Sequence, residues 1–273
     1  MKAAAFDYSR PADVQGALKE LAAGAGEAKL LGGGQSLGPM LNLRLARPKL
    51  LVDVSRLEAM RAIEDKGAHY RIGGAVTHSQ IEDAKLPGCE PLPQVARGIA
   101  YRIIRNRGTI GGSMAHADPA ADWPLALPAL GATMVLAGPA GERRVPADEF
   151  MQGAFSTALA EDELIAAVEV PKLSASARWG YWKFCRKTGE FPEASAALLL
   201  DGERGVARLW VGALSGAPRA LPGLAADLAQ RGSLAATELA VGQTLDTAVP
   251  GLEAVQRTLH VTAVRRAVQK ALG

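Results

Sequence analysis

The sequence predicts an α+β protein in which three parts follow one another along the chain. The first part, of about 55 residues, alternates helix and strand patterns as small α/β units do. The middle part contains a clear β-hairpin pattern, and beyond Pro171 three strand patterns precede Ala- and Leu-rich helical patterns. We therefore divide the chain into segments 1–56, 57–172 and 173–273.

The first segment carries one helix and two strands. We predict the helix over about 11–21, because Ser9 or Asp13 can cap its start. The apolar runs 28–31 and 50–54 have the length and the composition of buried strands. The first of these strands leads directly into a run of three glycines.

The second segment contains a strand, a capped helix and a hairpin. Residues 70–75 have the pattern of a strand that leads into a helix, since Thr77 and Gln80 have the spacing of a capping box. We interpret His78, in the first turn of that helix, as an exposed turn residue, because no second ligand stands at metal spacing beside it. The stretch 131–145 predicts the hairpin, with its turn at GPAGE.

The third segment predicts a three-stranded antiparallel sheet followed by helices. Its strands are expected at 178–185, 195–200 and 207–214, and the polar turn DGERG joins the last two. The C-terminal helix has one apolar face. The residues of that face are Val264, Val268 and Ala271.

The composition excludes several classes of protein. With 273 residues, of which 48% are hydrophobic and 22% charged, the chain can bury a sizeable core and is neither disordered nor fibrous. A net charge of +3, without aromatic residues interleaved among the arginines, argues against a nucleic-acid partner. No apolar run approaches the roughly 18 residues that span a bilayer, and the N-terminus lacks the apolar core of a signal peptide. We therefore expect a cytoplasmic protein without a membrane span.

The two cysteines, Cys89 and Cys185, lie far apart in the sequence and outside any C-x-x-C or Cys/His spacing. They cannot by themselves hold an iron–sulfur cluster or a structural zinc ion. We interpret them as free buried thiols in a reducing compartment, and we expect no metal site in this chain.

A glycine-rich stretch, LLGGGQSLGPM, follows the strand at 28–31 and admits a hydrolase elbow, a phosphate cradle or a turn. The elbow is disfavoured, because too little structure precedes Ser36 for an oxyanion loop and Pro39 disturbs the helix that should follow. A Walker loop needs Lys after its last glycine, and a Rossmann fingerprint needs glycine where Leu37 stands. What remains is a loop whose backbone N–H groups can approach an anion, because glycine has no Cβ, and Ser36 adds a hydroxyl donor.

A second stretch, RNRGTIGGSMAHADPAADWP at 105–124, again offers paired glycines, hydroxyls and carboxylates. One alternative is a metal site made of His116, Asp118 and Asp122. Pro119 and the preceding TIGGS favour a structured cofactor loop instead. Two cradles in one chain indicate one elongated ligand that bears a diphosphate.

These two motifs, in this order and at this spacing, resemble the FAD-binding medium subunit of the molybdenum hydroxylases, the family of xanthine dehydrogenase and aerobic carbon monoxide dehydrogenase. The resemblance extends through YWKFCRKTGEF to the C-terminal helix, so it covers nearly the whole chain. It implies an α+β fold with a two-part FAD-binding domain of the p-cresol methylhydroxylase (PCMH)/vanillyl-alcohol-oxidase type. The parts would be an N-terminal α/β subdomain at 1–56 and an α+β subdomain at 57–172, followed by the C-terminal domain at 173–273.

The resemblance also implies which residues contact FAD. The first glycine stretch would receive the diphosphate and ribityl region, and the second would supply a second cradle. Asp122 would be an acidic contact, Ile165 an apolar contact near the adenine or flavin, and Lys183 a polar or cationic contact to the flavin. Phe191 would lie against the isoalloxazine. The cofactor-binding residues so implied are Gly32, Gly33, Gly34, Gln35, Ser36, Leu37, Thr109, Gly111, Gly112, Ser113, Asp122, Ile165, Lys183 and Phe191.

The chain departs from the family pattern at three positions. Gln35 stands where relatives commonly have His, Gly38 where an aliphatic residue is usual, and Asn42 where Lys is frequent. Gln can still donate a hydrogen bond, so the FAD assignment is retained. We expect Gln in place of His at position 35 to change the geometry beside the diphosphate and the redox potential of the flavin.

In the family, a large subunit with a molybdenum–pterin cofactor hydroxylates the substrate, and a small subunit with two [2Fe–2S] clusters relays electrons to the flavin. The resemblance therefore implies an oxidoreductase subunit that carries FAD, passes electrons to an external acceptor and works in a dimer of heterotrimers. It implies no catalytic nucleophile in this chain. Two alternatives stay open: a free-standing flavin-dependent reductase or oxidase of the same fold superfamily, and a scaffold that has lost the flavin.

Two groups of side chains also have open interpretations. The arginines near the second motif are typical of a solvated or ion-paired face, the alternative being a docking surface for a partner chain. The aromatic residues of YWKF suit a core and a cofactor wall equally. The members of the two groups are Arg97, Arg102, Arg105 and Arg107, and Tyr181, Trp182 and Phe184.

Overall fold

The computed structural model describes residues 2–273, which form three main sheets with helices packed around them. The strands are Asp7–Ser9 (β1), Ala28–Leu31 (β2), Leu50–Asp53 (β3), Ile63–Asp65 (β4), His69–Gly73 (β5), Thr133–Gly138 (β6), Gly141–Pro146 (β7), Met151–Gly153 (β8), Ser156–Thr157 (β9), Leu164–Pro171 (β10), Arg178–Phe184 (β11), Ala194–Asp201 (β12), Val206–Gly212 (β13) and Arg219–Ala220 (β14). The helices are Val14–Ala23 (α1), Leu37–Asn42 (α2), His78–Asp83 (α3), Pro91–Gly98 (α4), Arg102–Arg105 (α5), Ile110–His116 (α6), Asp122–Leu130 (α7), Ala147–Phe150 (α8), Pro222–Arg231 (α9), Glu238–Ala248 (α10) and Ala254–Leu272 (α11). Short 3₁₀ helices lie at Glu58–Met60, Gly202–Arg204 and Gly232–Ala235. Within residues 2–273, no helix combines the length and the apolar character needed to cross a membrane.

The first sheet is parallel, and its strands end at one shared edge. The strand order is β1-β3-β2, and Leu31 at the end of β2 pairs with Asp53 at the end of β3. Helix α1 begins at Val14, later than predicted, because Asp13 accepts a hydrogen bond from the Gly16 N–H at 2.7 Å and so caps it there. Ligands of parallel sheets bind at the carboxyl ends of the strands, and the first glycine stretch lies at that edge.

The second sheet is antiparallel, with strand order β4-β5-β10-β6-β7. The predicted hairpin is confirmed, since β6 and β7 pair up to a turn at residues 139–140. The predicted capping box of α3 is also confirmed: Thr77 accepts from the Gln80 N–H, and the Gln80 side chain accepts from the Thr77 N–H. The central strand, β10, has a bulge between Ile165 and Ala167.

The third sheet contains the three predicted strands and one that the sequence analysis missed. Strands β11, β12 and β13 pair antiparallel, and the two-residue strand β14 extends the sheet to four strands. A strand of two residues has no alternation of apolar and polar side chains, so no pattern marks it. The predicted apolar face of the last helix is confirmed, since Val264, Val268 and Ala271 of α11 are buried in the core beneath this sheet.

Three clusters of buried side chains hold these layers together. The cluster between the second and third sheets includes α7, in which every residue from Asp122 to Leu130 is buried. It also contains Tyr70 from the second sheet and Ala197 from the third, so this core continues across residue 172. The mixed class of helices and sheets is thus confirmed, while the division into three segments stays a prediction.

Candidate cofactor-binding site

The first glycine stretch forms an open loop between β2 and α2. Gly34 has a φ of +71°, a conformation that glycine adopts at no steric cost, and Gln35 and Ser36 are exposed. Within residues 2–273, the backbone N–H groups of residues 33–36 donate to no protein acceptor. The Gln35 side chain donates to the Gly33 carbonyl oxygen at 3.1 Å, which holds the loop in place. Four neighbouring free N–H groups at the carboxyl edge of a parallel sheet are a site for an anion.

The second glycine stretch has a different backbone. Its N–H groups from Ile110 to Ser113 all have acceptors, which are the carbonyl oxygens of Val76, Gly74 and Thr109 and the Thr109 hydroxyl. Thr109 caps α6, because its Oγ1 accepts the Gly112 N–H at 3.0 Å. The glycine at position 111 is required by packing, since a Cβ there would lie 2.6 Å from the Gly74 carbonyl oxygen. This segment therefore offers a ligand its surface and hydroxyls rather than free N–H groups.

The two glycine stretches lie against each other. A Cβ at Gly32 would lie 2.9 Å from Thr109 Oγ1, and a Cβ at Gly112 would lie 2.8 Å from the same atom. A Cβ at Gly33 would overlap the Arg107 carbonyl oxygen and lie 2.8 Å from Gly108 Cα. The structure thus brings both predicted cradles to one place, where small residues permit the contact.

Asp122 and Lys183 are also together, but they bind each other. Asp122 is buried at the start of α7, and its Oδ1 accepts hydrogen bonds from Lys183 Nζ at 2.7 Å and from the Tyr181 hydroxyl at 2.6 Å. Lys183 Nζ also donates to Asp122 Oδ2 at 3.0 Å and to the Gly98 carbonyl oxygen at 2.8 Å. Burial raises the pKa of the Tyr181 hydroxyl well above its ordinary value, and the Asp122 charge adds to that effect. The pair ties α7 to β11 beside the end of α4.

The three large apolar residues predicted to contact the cofactor differ in exposure. Ile165 is 4% exposed and belongs to the core around α7, so its side chain is fully used in packing. Phe191, in the loop between β11 and β12, is 64% exposed. Leu37, the first residue of α2, is half-buried beside the open loop.

Two exposed aromatic residues near these segments were missed by the sequence analysis. Tyr101 precedes α5, and its ring packs on the loop that carries Phe191, since a Cβ at Gly189 would lie 2.8 Å from the ring. Phe155 donates its N–H to the Ala117 carbonyl oxygen at 2.9 Å, in the loop after α6. The only sequence signal for Tyr101 is an aromatic residue just before the RNRG motif, and Phe155 has none.

The interpretation of His78 as an exposed turn residue is wrong. His78 is 5% exposed, and its Nδ1 accepts a hydrogen bond from Trp123 Nε1 at 3.1 Å. Burial, with a contribution from the Arg105 charge, lowers the pKa of its imidazole to about 4. No local signal indicates this burial, because Trp123 stands 45 positions further along the chain.

The arginines near the second motif are largely paired within the chain. Arg105 is buried and binds both carboxylate oxygens of Glu82, while Arg102 binds Glu82 at 2.9 Å and also Asp83. Arg105 also donates to the carbonyl oxygens of residues 99 and 100, which fixes the backbone before Tyr101. The ion-paired interpretation is therefore confirmed for these two arginines.

The metal alternative gains no support from the geometry. Asp118 accepts the Ala120 N–H at 2.9 Å, Asp122 is paired with Lys183, and the His116 ring lies 5.2 Å from the Phe155 ring. Across residues 2–273, no three His, Cys, Asp or Glu side chains are grouped to hold a metal ion. Cys89 and Cys185 are both free thiols, but the prediction that both are buried is wrong for Cys185, which is half-buried. Burial raises the pKa of Cys89 to about 12.

These features fit an FAD cofactor. Its diphosphate is an anion of the kind that the four free N–H groups of the first loop can bind. Its flat ring systems need apolar and aromatic surface, and Phe191 and Tyr101 are exposed aromatic rings that can provide it. The absence of a Cβ at Gly32 and Gly112 lets the Thr109 side chain pack closely against both residues, which brings the two segments together at one site.

Comparison with known proteins agrees with this fit. Residues 4–173 match the family described as the FAD binding domain in molybdopterin dehydrogenase. The nicotine 6-hydroxylase medium subunit of Paenarthrobacter nicotinovorans is 37% identical over 204 residues, which cover 74% of this chain and 71% of that protein. The carbon monoxide dehydrogenase medium chain of Hydrogenophaga pseudoflava is 40% identical over 200 residues, which cover 71% of this chain and 69% of that protein.

Solved structures extend the similarity over the whole chain. A chain of quinoline 2-oxidoreductase from Pseudomonas putida 86 superposes with a TM-score of 0.88 at 33% identity, covering 99% of this chain and 98% of that chain. A chain of reconstituted CO dehydrogenase from Oligotropha carboxidovorans gives a TM-score of 0.90 at 29% identity, covering 99% of both chains. The chain therefore belongs to the FAD-binding medium subunits of the molybdenum hydroxylase family, which are oxidoreductase subunits.

Proposed function

We propose that this chain carries one non-covalently bound FAD and serves as the electron-transfer subunit of a heteromeric molybdenum hydroxylase. It takes electrons from [2Fe–2S] clusters of a partner subunit and passes them to an external acceptor. The observation that carries the proposal is the open loop of four free N–H groups, in contact with the second glycine stretch at Thr109. A loop of this kind binds a diphosphate without any covalent attachment.

In this proposal the chain positions the cofactor and performs no acid–base chemistry on it. The N–H groups of residues 33–36 bind the diphosphate, with the Ser36 hydroxyl as a further donor. The Gly32–Leu37 and Thr109–Ser113 segments form the two walls, and Phe191 and Tyr101 provide aromatic surface. When bound, FAD supplies one- and two-electron redox chemistry. Asp122 and Lys183 act as one paired unit, in which each fixes the position of the other.

The partners follow from the relatives and from the ligands that this chain lacks. The relatives are named medium chains or medium subunits, and the similarity to a CO dehydrogenase chain covers 99% of both chains. The only thiols are Cys89 and Cys185, so [2Fe–2S] clusters must be held by another chain. We therefore include a small iron–sulfur subunit and a large molybdenum–pterin subunit, assembled as a dimer of heterotrimers.

The finer assignments of fold and location belong to the same proposal. The parallel sheet of β1–β3 and the antiparallel sheet of β4–β7 and β10 suit the two-part FAD-binding domain of the PCMH/vanillyl-alcohol-oxidase type. The division at residues 56 and 172 suits the three main sheets. The free thiols of Cys89 and Cys185 suit a reducing, cytoplasmic location.

The test is purification of the native complex through a tag on this chain. We expect a brown complex with a smaller cysteine-rich subunit and a larger subunit, and FAD that moves to the supernatant on acid precipitation. The isolated chain should bind FAD and turn yellow but should not oxidise the substrate of the complex. Turnover by the isolated chain at the rate of the complex would instead establish a free-standing flavoenzyme. A colourless chain that binds no added FAD would establish a scaffold without flavin.

A further inference from the structure

His78 lies behind the junction of the two glycine stretches. Its backbone N–H donates to the Gly108 carbonyl oxygen at 2.8 Å, and the neighbouring residues Thr77 and Thr109 form an antiparallel bridge. The imidazole contacts the Gly108 backbone so closely that a Cβ there would lie 2.8 Å from Cδ2 and 2.9 Å from Nε2. Gly108 in turn contacts Gly33, whose Cβ position lies 2.8 Å from Gly108 Cα. The imidazole is thus one residue away from the first loop and one residue away from the Thr109 cap.

The hydrogen bond from Trp123 requires that Nδ1 of His78 carries no proton. Indole Nε1–H is a donor only, so the His78 Nδ1 that it contacts at 3.1 Å must be unprotonated. The neutral imidazole then carries its proton on Nε2. A proton added at Nδ1 would point at the indole N–H, and the resulting cation would lie in a site that is 5% exposed.

The charged groups on the elements around His78 are engaged elsewhere. Arg105 of α5 is paired with Glu82 of α3, and Asp122 of α7 is paired with Lys183. Burial disfavours a positive charge on the imidazole, and the Arg105 charge adds to that effect, so that the pKa of His78 is lowered to about 4. No carboxylate among residues 2–273 lies within 4.0 Å of the His78 ring nitrogens.

We propose that His78 is a positioning residue for the FAD site, whose neutral imidazole holds Gly108 against Gly33 and so sets the spacing between the two glycine stretches. The hydrogen bond to Trp123 extends this arrangement to α7, because Trp123 directly follows Asp122. Movement of one side chain would therefore displace the first loop, the Thr109 cap and the Asp122–Lys183 pair together. This inference rests on the proposed FAD site and adds a residue to it that contacts no cofactor atom.

The test is the dissociation constant of FAD from the full-length chain, measured by flavin fluorescence at pH 7 in three variants. His78→Phe keeps a ring but leaves the Trp123 N–H without an acceptor, and we expect FAD to bind about tenfold more weakly or worse. His78→Asn places an amide oxygen near the position of Nδ1, and we expect the dissociation constant within about threefold of wild type. His69→Asn makes the same exchange at the first residue of β5 in the second sheet and should have no effect.

The pH profile separates positioning from simple packing. The folded imidazole has a pKa of about 4 against an ordinary value of 6.5, so the unfolded chain takes up the proton first as pH falls. The free energy of unfolding should therefore decrease as the pH falls from 6.5 to about 4. The FAD dissociation constant should rise as the pH falls toward about 4. Both changes should be smaller in His78→Asn, which has no titrating group at this position.

Two results would overturn the inference. One is an FAD dissociation constant that stays at the wild-type value in both His78→Phe and His78→Asn, measured beside a wild-type chain that binds FAD. The other is an equal loss in His78→Phe and His78→Asn with the wild-type pH profile retained, which would make His78 a packing residue. If His78→Phe does not fold, Trp123→Phe provides a second route, and it should weaken FAD binding while His78→Asn does not. Failure of the wild-type chain to bind FAD at all would count against the proposed function instead.

Discussion

The first and second glycine stretches contain the same kinds of residue and use them for different purposes. In the first, the N–H groups of residues 33–36 have no acceptor within residues 2–273. In the second, every N–H from Ile110 to Ser113 has one. Glycine therefore permits close packing of protein segments in both stretches, and the first stretch also leaves its N–H groups open to a ligand. A motif of small residues does not by itself distinguish these two uses.

The difference has its origin in what each stretch is attached to. The first stretch leaves a parallel sheet at its carboxyl edge and enters α2, and the N–H groups of residues 33–36 find no acceptor in the described part of the chain. The second enters α6 beneath the loop at Gly74 and Val76, whose carbonyl oxygens accept its N–H groups. The two stretches contact each other at Gly33 and at Thr109. Substitutions that separate the stretches can therefore be tested apart from substitutions that remove hydrogen-bond donors.

The largest effect should come from Gly33→Ala, which disrupts the contact between the two glycine stretches. The added Cβ would overlap the Arg107 carbonyl oxygen, and this backbone is fixed by packing on both sides. We expect the two stretches to separate, with a loss of about 3 kcal/mol in the free energy of unfolding. The same change should weaken FAD binding at least a hundredfold. Chemical denaturation and FAD titration measure the two effects.

Gly38→Ala is the matched control for this substitution. Gly38 lies inside α2, four positions after Gly34, and no atom lies within 4 Å of its Cβ position. Ala is a better helix former than Gly by up to about 1 kcal/mol, so this variant should be as stable as wild type or more so. If Gly33→Ala bound FAD as well as Gly38→Ala did, contact between the two stretches would have no role in cofactor binding.

A smaller effect is expected from Asp122→Asn, at the first residue of α7. The exchange leaves the half-buried Lys183 ammonium without its charged partner, although the amide oxygen can still accept the Tyr181 hydroxyl. We expect a loss of about 2 kcal/mol in the free energy of unfolding and FAD binding weakened about thirtyfold. The exposed residue Asp148 of α8 provides the control, since Asp148→Asn should leave both quantities unchanged. Unchanged stability in Asp122→Asn would show that the pair does not hold α7 to β11.

Gly112→Val ranks below these because the residue is exposed. Its Cβ position lies 2.8 Å from Thr109 Oγ1, so a side chain there disturbs the cap of α6 at a cost of about 1 kcal/mol. The valine methyl groups would also stand on the surface that faces the ligand. We expect about tenfold weaker FAD binding with most of the fold intact, as judged by circular dichroism. A normal flavin content in this variant would remove the second stretch from the cofactor site.

The sequence predicts the local elements well where their signals are local. The hairpin at 133–146 and the strands at 194–212 follow from alternation and turn residues, and the cap at Thr77 follows from residues three positions apart. The candidate site residues come from the resemblance, because no local rule singles out Asp122 or Phe191. The resemblance predicts which residues belong to the site, but it does not predict their burial or their hydrogen-bond partners.

What the sequence could not predict depends on contacts between distant segments. The burial of His78 is created by Trp123, and the pairing of the second-stretch N–H groups is created by Gly74 and Val76. In the same way, the full burial of Ile165 results from its place on the central strand of a five-stranded sheet. Each of these facts changes the role of a motif residue, and each requires the tertiary structure.

The smallest effects should come from removing the hydroxyls of Ser36 and Ser113. The ratio of the two losses in FAD affinity tests the difference between the two glycine stretches. Neither the Ser36 nor the Ser113 hydroxyl has a hydrogen-bond partner within residues 2–273, so replacing either with Ala should change the free energy of unfolding by less than about 0.5 kcal/mol. At the first stretch four backbone N–H groups remain beside Ser36, and Ser36→Ala should weaken FAD binding only about twofold. At the second stretch the N–H groups are already paired, so more of the interaction depends on the hydroxyl and Ser113→Ala should weaken binding about fivefold. FAD titration of both variants at one ionic strength measures the ratio. A larger loss from Ser36→Ala than from Ser113→Ala would mean that the free N–H groups of the first stretch do not compensate for the lost hydroxyl.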